Sequence, residues 1–329
     1  MHPDKLVELL RGHKVYVQTH NYPDPDAIAS AFGLQEFLRE YGIETIMCYE
    51  GKVEKLSTRK MFDVFDIISF PIEEIPDMKE EDYIVIVDAQ KYNANITDFI
   101  GDEVACIDHH QVYRTCEYHY TDIRTVGACS SIIAEYYKMT DTPISPKVAA
   151  ALAYGIKMDT ADFTRGTSSF DVEMFSYVFS KADTNLLNIM YRDVMEFKDL
   201  RAYGAAIDNI HLYDTVGFAK IPFDCPDALI AIISDFILSL DIVNVSIVYA
   251  IRNDGIKFSV RSEVENIDAG LLTRTALDGI GKGGGHREMA GGFIPLENVK
   301  ELGEDIDLAI EQLFFTQIKI RNVVINLEL

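Results

Sequence analysis

Hydrophobic positions along the first half of the chain follow two periods. Short apolar or β-branched runs at Val15–Thr19, Thr45–Cys48, Tyr83–Val87 and Val104–Ile107 predict strands. Between the first two, Ala27–Tyr41 carries Ala31, Leu34 and Leu38 at helical spacing. Ser145-Pro146 suits a helix start, with Ser as cap and Pro in the first turn, and that helix runs through Val148, Leu152 and Ile156 towards Asp159. A further helix is expected over Asp171–Ser180. Strands alternating with helices imply βαβ units, hence an α/β fold with a mainly parallel sheet and helices on both faces.

The second half repeats the mixture on a smaller scale. Residues 184–212 read as a helical connector. Strands follow near Val216–Ile221, Val243–Ile251 and Ile256–Arg261, with helices over Ala228–Leu238, Asp268–Leu277 and Asn298–Leu313. The tail Ile318–Leu327 alternates apolar and polar residues and reads as another strand. The expected organisation is a first domain over residues 1–183, a connector over 184–212 and a smaller α/β domain over 213–329. A length of 329 residues suits two domains. There is no internal repeat and no low-complexity tract.

Composition narrows the classes of function. With 48% hydrophobic residues the chain can bury a sizeable core. A net charge of −23 repels polyanions at long range and argues against tracking along long duplex DNA. It leaves room for a short phosphorylated ligand, because bound cations reverse the local field. Cys48, Cys106, Cys116, Cys129 and Cys225 are scattered and contain no CxxC, as reduced thiols of a cytoplasmic protein would be. Met1–Lys14 is short, polar and charged, unlike a signal peptide, and the apolar stretch Ala228–Leu240 is too short to span a bilayer. A soluble cytoplasmic protein with no membrane partner is expected.

Acidic and imidazole groups gather where parallel strands should end, which is where open α/β sheets bind ligands. After Val15–Thr19 comes His20-Asn21-Tyr22-Pro23-Asp24-Pro25-Asp26, three potential ligands on a proline-stiffened loop. Either aspartate could instead cap the helix that follows. Asp88 ends the apolar run Tyr83–Val87, where an unpaired carboxylate is costly, though a turn residue would also fit. Asp108-His109-His110 follows Val104–Ile107 and points adjacent side chains in different directions. Asp159 sits at the C-terminal end of a helix, where the dipole disfavours a carboxylate and a cation would correct the mismatch.

Taken in order, H-x3-D-x-D, strand-D, strand-DHH and helix-D resemble the DHH phosphoesterase family across the whole first domain. Gly283-Gly284-Gly285-His286, followed by Ala290-Gly291-Gly292, resembles the glycine-rich signature of the DHH-associated C-terminal domain. Arg261 at a strand end resembles that family's phosphate-binding arginine. Around these residues the stretch Gly255–Ala290 balances Lys257, Arg261, Arg274, Lys282 and Arg287 against an equal number of acids, so it is electropositive relative to the rest. Two departures stand out. Asp162 occupies a position where many relatives have Gly, and the glycine motif continues as Arg287-Glu288-Met289.

The resemblance implies a manganese-dependent hydrolase with two ions per site, magnesium or cobalt being substitutes. One ion would be held by His20, Asp24 and Asp88, the other by Asp26, Asp88, His109 and Asp159, with Asp88 bridging. His110 would act beside the reacting phosphate, with Arg261, Gly283, Gly284, Gly285 and His286 binding substrate from the second domain across a cleft. The nearest likeness is to the nanoRNase and 3′-phosphoadenosine 5′-phosphate phosphatase group. Its substrates are short oligoribonucleotides, including linear dinucleotides, and small phosphorylated nucleotides. A homodimer is compatible with this reading. An exopolyphosphatase and a catalytically silent nucleotide-binding regulator are the alternatives. An RNA-binding structural module fits poorly, given the acidity and the absence of a basic aromatic patch.

Overall fold

The computed structural model describes residues 2–53, 55–192 and 195–325, and it divides into two compact units, residues 1–194 and 195–329. The first unit runs α1 (Asp4–Leu10), β1 (Val15–Gln18), α2 (Pro25–Glu40), β2 (Thr45–Tyr49), α3 (Leu56–Val64), β3 (Ser69–Pro71), β4 (Tyr83–Val87), β5 (Asp102–Asp108), β6 (Tyr120–Ile123), α4 (Cys129–Thr140), α5 (Pro146–Asp159), α6 (Ser169–Phe179) and α7 (Thr184–Tyr191). Its strands form a parallel sheet in the order β3-β2-β1-β4-β5-β6.

Strand alternation decides which side chains meet the helices. Val15, Val17, Val85, Val87, Ala105 and Ile107 point to one face, where they are buried with Ile28, Phe37, Ile132, Leu152 and Ile156 of α2, α4 and α5. Tyr16, Cys48, Ile84 and Ile86 point to the other. That face is covered by Ile75, Met78, Ala89 and Phe99 from the connections around β4, so among the described residues the expected helices on both faces become helices on one. Strand order reverses between β1 and β4, and in open α/β sheets ligands bind outside the carboxyl ends at such a switch point.

The second unit runs α8 (Leu200–Asp208), β7 (Ile210–Tyr213), β8 (Val216–Ile221), α9 (Asp227–Leu238), β9 (Val245–Ile251), β10 (Gly255–Ser262), α10 (Ala269–Ala276), β11 (Lys282–Gly285), β12 (Met289–Pro295), α11 (Leu296–Val299) and α12 (Ile306–Ile325). Its sheet, in the order β11-β12-β10-β9-β8-β7, is antiparallel except for the β8–β9 pair. Ile230, Ile233 and Ile237 of α9 cover one face, while Leu272 of α10 and Ile310, Phe314 and Ile318 of α12 cover the other. The expected α/β class holds for both units.

Three expectations are corrected. Ile318–Ile325 is the end of a helix and not a strand, with residues 326 and 327 of the expected strand lying outside the described residues. Ile318 continues the i, i+4 series of Ile310 and Phe314 into the core, and that burial overrides the local alternation. The single helix expected over Asn298–Leu313 is interrupted, because Gly303 adopts φ +80° between α11 and α12. The connector 184–212 contains α7 and α8, but its last residues belong to β7, which pairs with β8. No helix among the described residues is long and apolar enough to cross a membrane.

Candidate metal centre

Every first-unit residue singled out in the sequence lies at the carboxyl edge of the parallel sheet or at the end of α5. After β1 the chain turns through His20, with Asn21 and Tyr22 donating backbone hydrogen bonds to Asn95 O and Glu50 O. Asp24 then caps α2, its Oδ1 accepting from the backbone N–H groups of Asp26 and Ala27 at 3.0 and 3.2 Å. Cap and candidate ligand are therefore the same residue. Pro25 starts α2 with its missing N–H at a position that needs none.

Two imidazoles are prepared in the same way. His20 Nδ1 lies 2.8 Å from Asn21 O and His109 Nδ1 lies 3.0 Å from Val126 O. A carbonyl can only accept, so Nδ1 carries the proton and each neutral ring offers its Nε2 lone pair to the site. His20 Nε2 faces Asp24 Oδ1 at 3.8 Å and Asp88 Oδ2 at 3.7 Å. His109 Nε2 faces Asp88 Oδ1 and Asp159 Oδ2, both at 3.2 Å.

Asp88 stands at the centre. It leaves β4 with φ +60°, a left-handed conformation that aspartate tolerates better than most residues, and it is 2% exposed. Its buried Oδ1 accepts no well-directed hydrogen bond and is faced by His109 Nε2 at 3.2 Å and His110 Nδ1 at 3.8 Å. A carboxylate oxygen at this depth is costly unless positive charge meets it, from a protonated imidazole or from a bound cation. Burial pushes Asp88 up to about 6, reinforced by the Asp26 charge. Burial and the Asp159 charge do the same to Asp26, and burial raises Asp159, each to about 6. The carboxylates in turn hold both imidazoles protonated in the cation-free site. Although burial opposes it, Asp24 and Asp88 raise His20 to about 9, and Asp88 with Asp26 raises His109 to about 11.

Asp26 is fixed from a distance. Its Oδ2 accepts from Cys129 N at 2.6 Å and its Oδ1 from Ser130 N at 3.0 Å, so it caps α4, which has no side-chain cap of its own. Gly155 makes room for this: a Cβ there would stand 2.4 Å from Ser130 Oγ, 2.7 Å from Ala29 Cβ and 3.2 Å from Asp26 Oδ1. Donor atoms of His20, Asp24 and Asp88 lie within 4.8 Å of one another, as do those of Asp26, His109 and Asp159. Asp88 reaches the second set through His109. Carboxylates with two imidazoles and no thiolate suit hard or borderline divalent cations.

His110 plays a different part. Its Nδ1 is 2.8 Å from Asp108 Oδ1 and 3.8 Å from Asp88 Oδ1. Asp108 is fully buried and its Oδ2 accepts from Gln90 Nε2 at 2.6 Å; the same amide donates to His110 O. Burial would raise Asp108, but His110 and Gln90 outweigh it and hold it below the usual carboxylate range. The hydrogen bond to Asp108 in turn raises His110. Sequence reasoning did not assign Asp108 or Gln90. Their adjacency to His110 and Asp88 was the available signal, but not the hydrogen bond that joins them.

Asp162, the departure from glycine, has φ +55° between Ala161 at +46° and Phe163 at +70°. Asp is among the side chains that tolerate this region, so the departure keeps the turn. Arg165 closes it by donating from Nη2 to Asp159 O at 2.8 Å.

In the second unit, the glycine motif is a strand at one end of the sheet and not a loop. Gly283 faces Thr273 of α10 and Gly292 faces Leu277, with built Cβ atoms at 2.7 and 2.4 Å, so these glycines serve packing. Gly284 and Gly291 pair across β11 and β12, and a Cβ on either would meet nothing closer than 3.7 Å, leaving a bare strip of backbone. Gly285 has φ +153° and turns the chain into His286, whose N–H donates to Met289 O at 2.8 Å. Arg261 does not present a free guanidinium: Nε is 2.6 Å from Asp235 Oδ1 and Nη1 donates to Ser259 Oγ at 2.9 Å.

The chain matches the DHH family, N-terminal domain, over residues 14–156 and the DHHA1 domain over residues 214–312. An uncharacterized protein of Methanocaldococcus jannaschii, MJ1633, is 27% identical over 290 residues, covering 88% of this chain and 59% of that protein. A probable manganese-dependent inorganic pyrophosphatase of Streptococcus mutans is 25% identical, covering 53% of this chain and 61% of its own. The cyclic-di-AMP phosphodiesterase GdpP of Geobacillus thermodenitrificans is 26% identical, covering 94% of this chain and 49% of its own. The chain thus spans about half to three fifths of the length of these relatives. The structure of an exopolyphosphatase-related protein from Bacteroides fragilis superposes with a TM-score of 0.76 at 21% identity, over 98% of this chain and 97% of that one, and shares its fold. This chain is built of a DHH family N-terminal domain followed by a DHHA1 domain.

Proposed function

We propose that the chain is a dinuclear, manganese-dependent phosphoesterase acting on short oligoribonucleotides, linear dinucleotides or small phosphorylated nucleotides. The observation that carries this reading is the pair of donor sets meeting at Asp88, whose carboxylate is buried between the His20 and His109 imidazoles. His20, Asp24 and Asp88 would hold one cation, and Asp26, Asp88, His109 and Asp159 the other. Manganese is favoured by the donor types and by the name of the pyrophosphatase relative. When bound, two such cations supply positive charge to a phosphoryl group and lower the pKa of an attacking water.

The chain's own residues do the rest. Asp88 fixes the spacing of the two sites. The backbone carbonyls of Asn21 and Val126 keep both Nε2 atoms directed at them. His110, oriented by the hydrogen bond between its Nδ1 and Asp108, would donate towards a phosphoryl or leaving oxygen and stabilise charge as it develops. In the second unit the bare Gly284–Gly291 strip admits close approach of a phosphate, flanked by Gly283, Gly285 and His286. Arg261 offers its guanidinium to the same anion once it exchanges Asp235 for it.

A phosphoanhydride substrate is the second reading, favoured by the pyrophosphatase relative. Purified protein with manganese, given a 5′-phosphorylated RNA dinucleotide, 3′-phosphoadenosine 5′-phosphate and polyphosphate in parallel, separates the two. Turnover of either nucleotide, abolished by EDTA, is the expected result. Cleavage of polyphosphate alone would replace the substrate assignment, and no turnover with metal bound would leave a nucleotide-binding regulator.

A further inference from the structure

Tyr92 and Tyr113 are among the most exposed aromatic side chains of the first unit, at 57% and 72%. Exposed apolar side chains are informative when they cluster. These two lie together. With Val112, Arg114 and Thr115 they line an open surface pocket of about 450 Å³. Two loops build it, one leaving β4 through Asp88 and the other leaving β5 through Asp108 and His110.

The loops are tied to each other and to the metal centre. Gln90 donates to both Asp108 Oδ2 and His110 O, and Lys91 N–H donates to the Tyr118 hydroxyl at 2.9 Å. Lys91 Nζ stands 5.6 Å above the Tyr92 ring centroid while it pairs with Glu103 at 2.7 Å. Tyr92 has φ +72°, a conformation unfavourable for a bulky residue, which aims its ring out of the loop. Val112 is two residues from His110, so the cavity begins within about 7 Å of backbone from the group placed at the reacting phosphate.

We propose that this cavity is a nucleobase pocket. Tyr92 and Tyr113 offer ring faces to a base, Arg114 offers a planar cation that stacks or donates, and Thr115 offers a hydroxyl to a ring nitrogen or exocyclic group. The pocket makes the site select substrates that carry a base over bare phosphoanhydrides. This rests on the phosphoesterase reading and deepens it, since a base held here keeps its own phosphate beside His110.

The test compares wild type, Tyr113→Ala, Tyr92→Ala and Tyr113→Phe in manganese. Steady-state kinetics are measured on a 5′-phosphorylated RNA dinucleotide and on tripolyphosphate, and binding of AMP and of inorganic phosphate by calorimetry. Either alanine variant is expected to lower the dinucleotide-to-tripolyphosphate ratio of kcat/KM at least tenfold, mainly through KM. It should weaken AMP binding tenfold more than phosphate binding, while Tyr113→Phe, which keeps the ring, stays near wild type. An unchanged ratio in both alanine variants, or an equal loss for AMP and phosphate, overturns the pocket. The calorimetry decides even if wild type turns over neither substrate, which would sink the phosphoesterase reading alone: wild type that binds AMP no better than phosphate overturns the pocket on its own.

Discussion

At the residue scale the centre turns on which groups face each carboxylate. Asp88 Oδ1 faces the His109 and His110 imidazoles, whereas Asp108 is anchored by the Gln90 amide as well as by His110. Two aspartates at strand ends therefore have different roles, one as a candidate ligand and one as the orienter of His110. Replacing His110 with Gln should lower kcat by about 10²- to 10³-fold, the usual scale for losing one charge-stabilising donor, with manganese affinity kept. Kinetics and calorimetry on the same preparation check this, and loss of metal along with rate would make His110 a ligand instead. The candidate donors His20, Asp24, Asp26, Asp88, His109 and Asp159, which the structure gathers in one region, were legible because they follow strands and helix ends in order. The sequence did not carry the Gln90–Asp108–His110 chain, which depends on two loops meeting in space.

At the element scale, long-range contacts decide what local pattern could not. Helix α4 went unread because Ala128, its N-cap, offers no side-chain acceptor; the capping oxygens come from Asp26, 103 residues earlier. α12 was misread because Ile318–Leu327 alternates locally, while its true period extends back to Ile310. The glycine motif was read for its chemistry, yet Gly283 and Gly292 are required by α10 pressing on the sheet. Gly155→Ala should cost about 1–3 kcal/mol by crowding Ser130 and Asp26, and it should weaken manganese binding as well, because Asp26 caps α4 and faces Asp159 together. Thermal unfolding with and without manganese measures both effects, and a variant as stable and as metal-avid as wild type would contradict the packing described. Ile318→Lys, on the buried face of α12, should destabilise the second unit by about 2–5 kcal/mol, where an exposed strand would tolerate it.

At the scale of the whole molecule, the cation-free centre is a store of unfavourable electrostatics. Asp26, Asp88 and Asp159 have native pKa values near 6, above the ordinary carboxylate value, so the native state holds protons that the unfolded chain has released between about pH 4 and 6. His20 near 9 and His109 near 11 also lie above their ordinary value, and their contribution is lost as pH rises through those values. Both sets have the same sign: in EDTA, stability should fall as pH rises from 5 to 9. Manganese should flatten or reverse that slope, because cations bind the deprotonated carboxylates and neutral imidazoles. Melting temperatures across that range, with and without manganese, test the prediction, and a metal-free protein that gains stability with rising pH would contradict it. In a chain of net charge −23, cations bound at this centre would reverse the local field for the anionic substrate proposed above.

The most direct test of the central claim is the number of manganese ions bound per chain, measured by elemental analysis and calorimetry on wild type and on Asp88→Asn. The account predicts two ions in wild type. In the variant it predicts weakened binding at both sites, with turnover reduced by about 10³-fold or more and an intact circular dichroism spectrum. A single ion in wild type, or a variant that keeps two ions and its rate, would contradict a dinuclear centre built around Asp88.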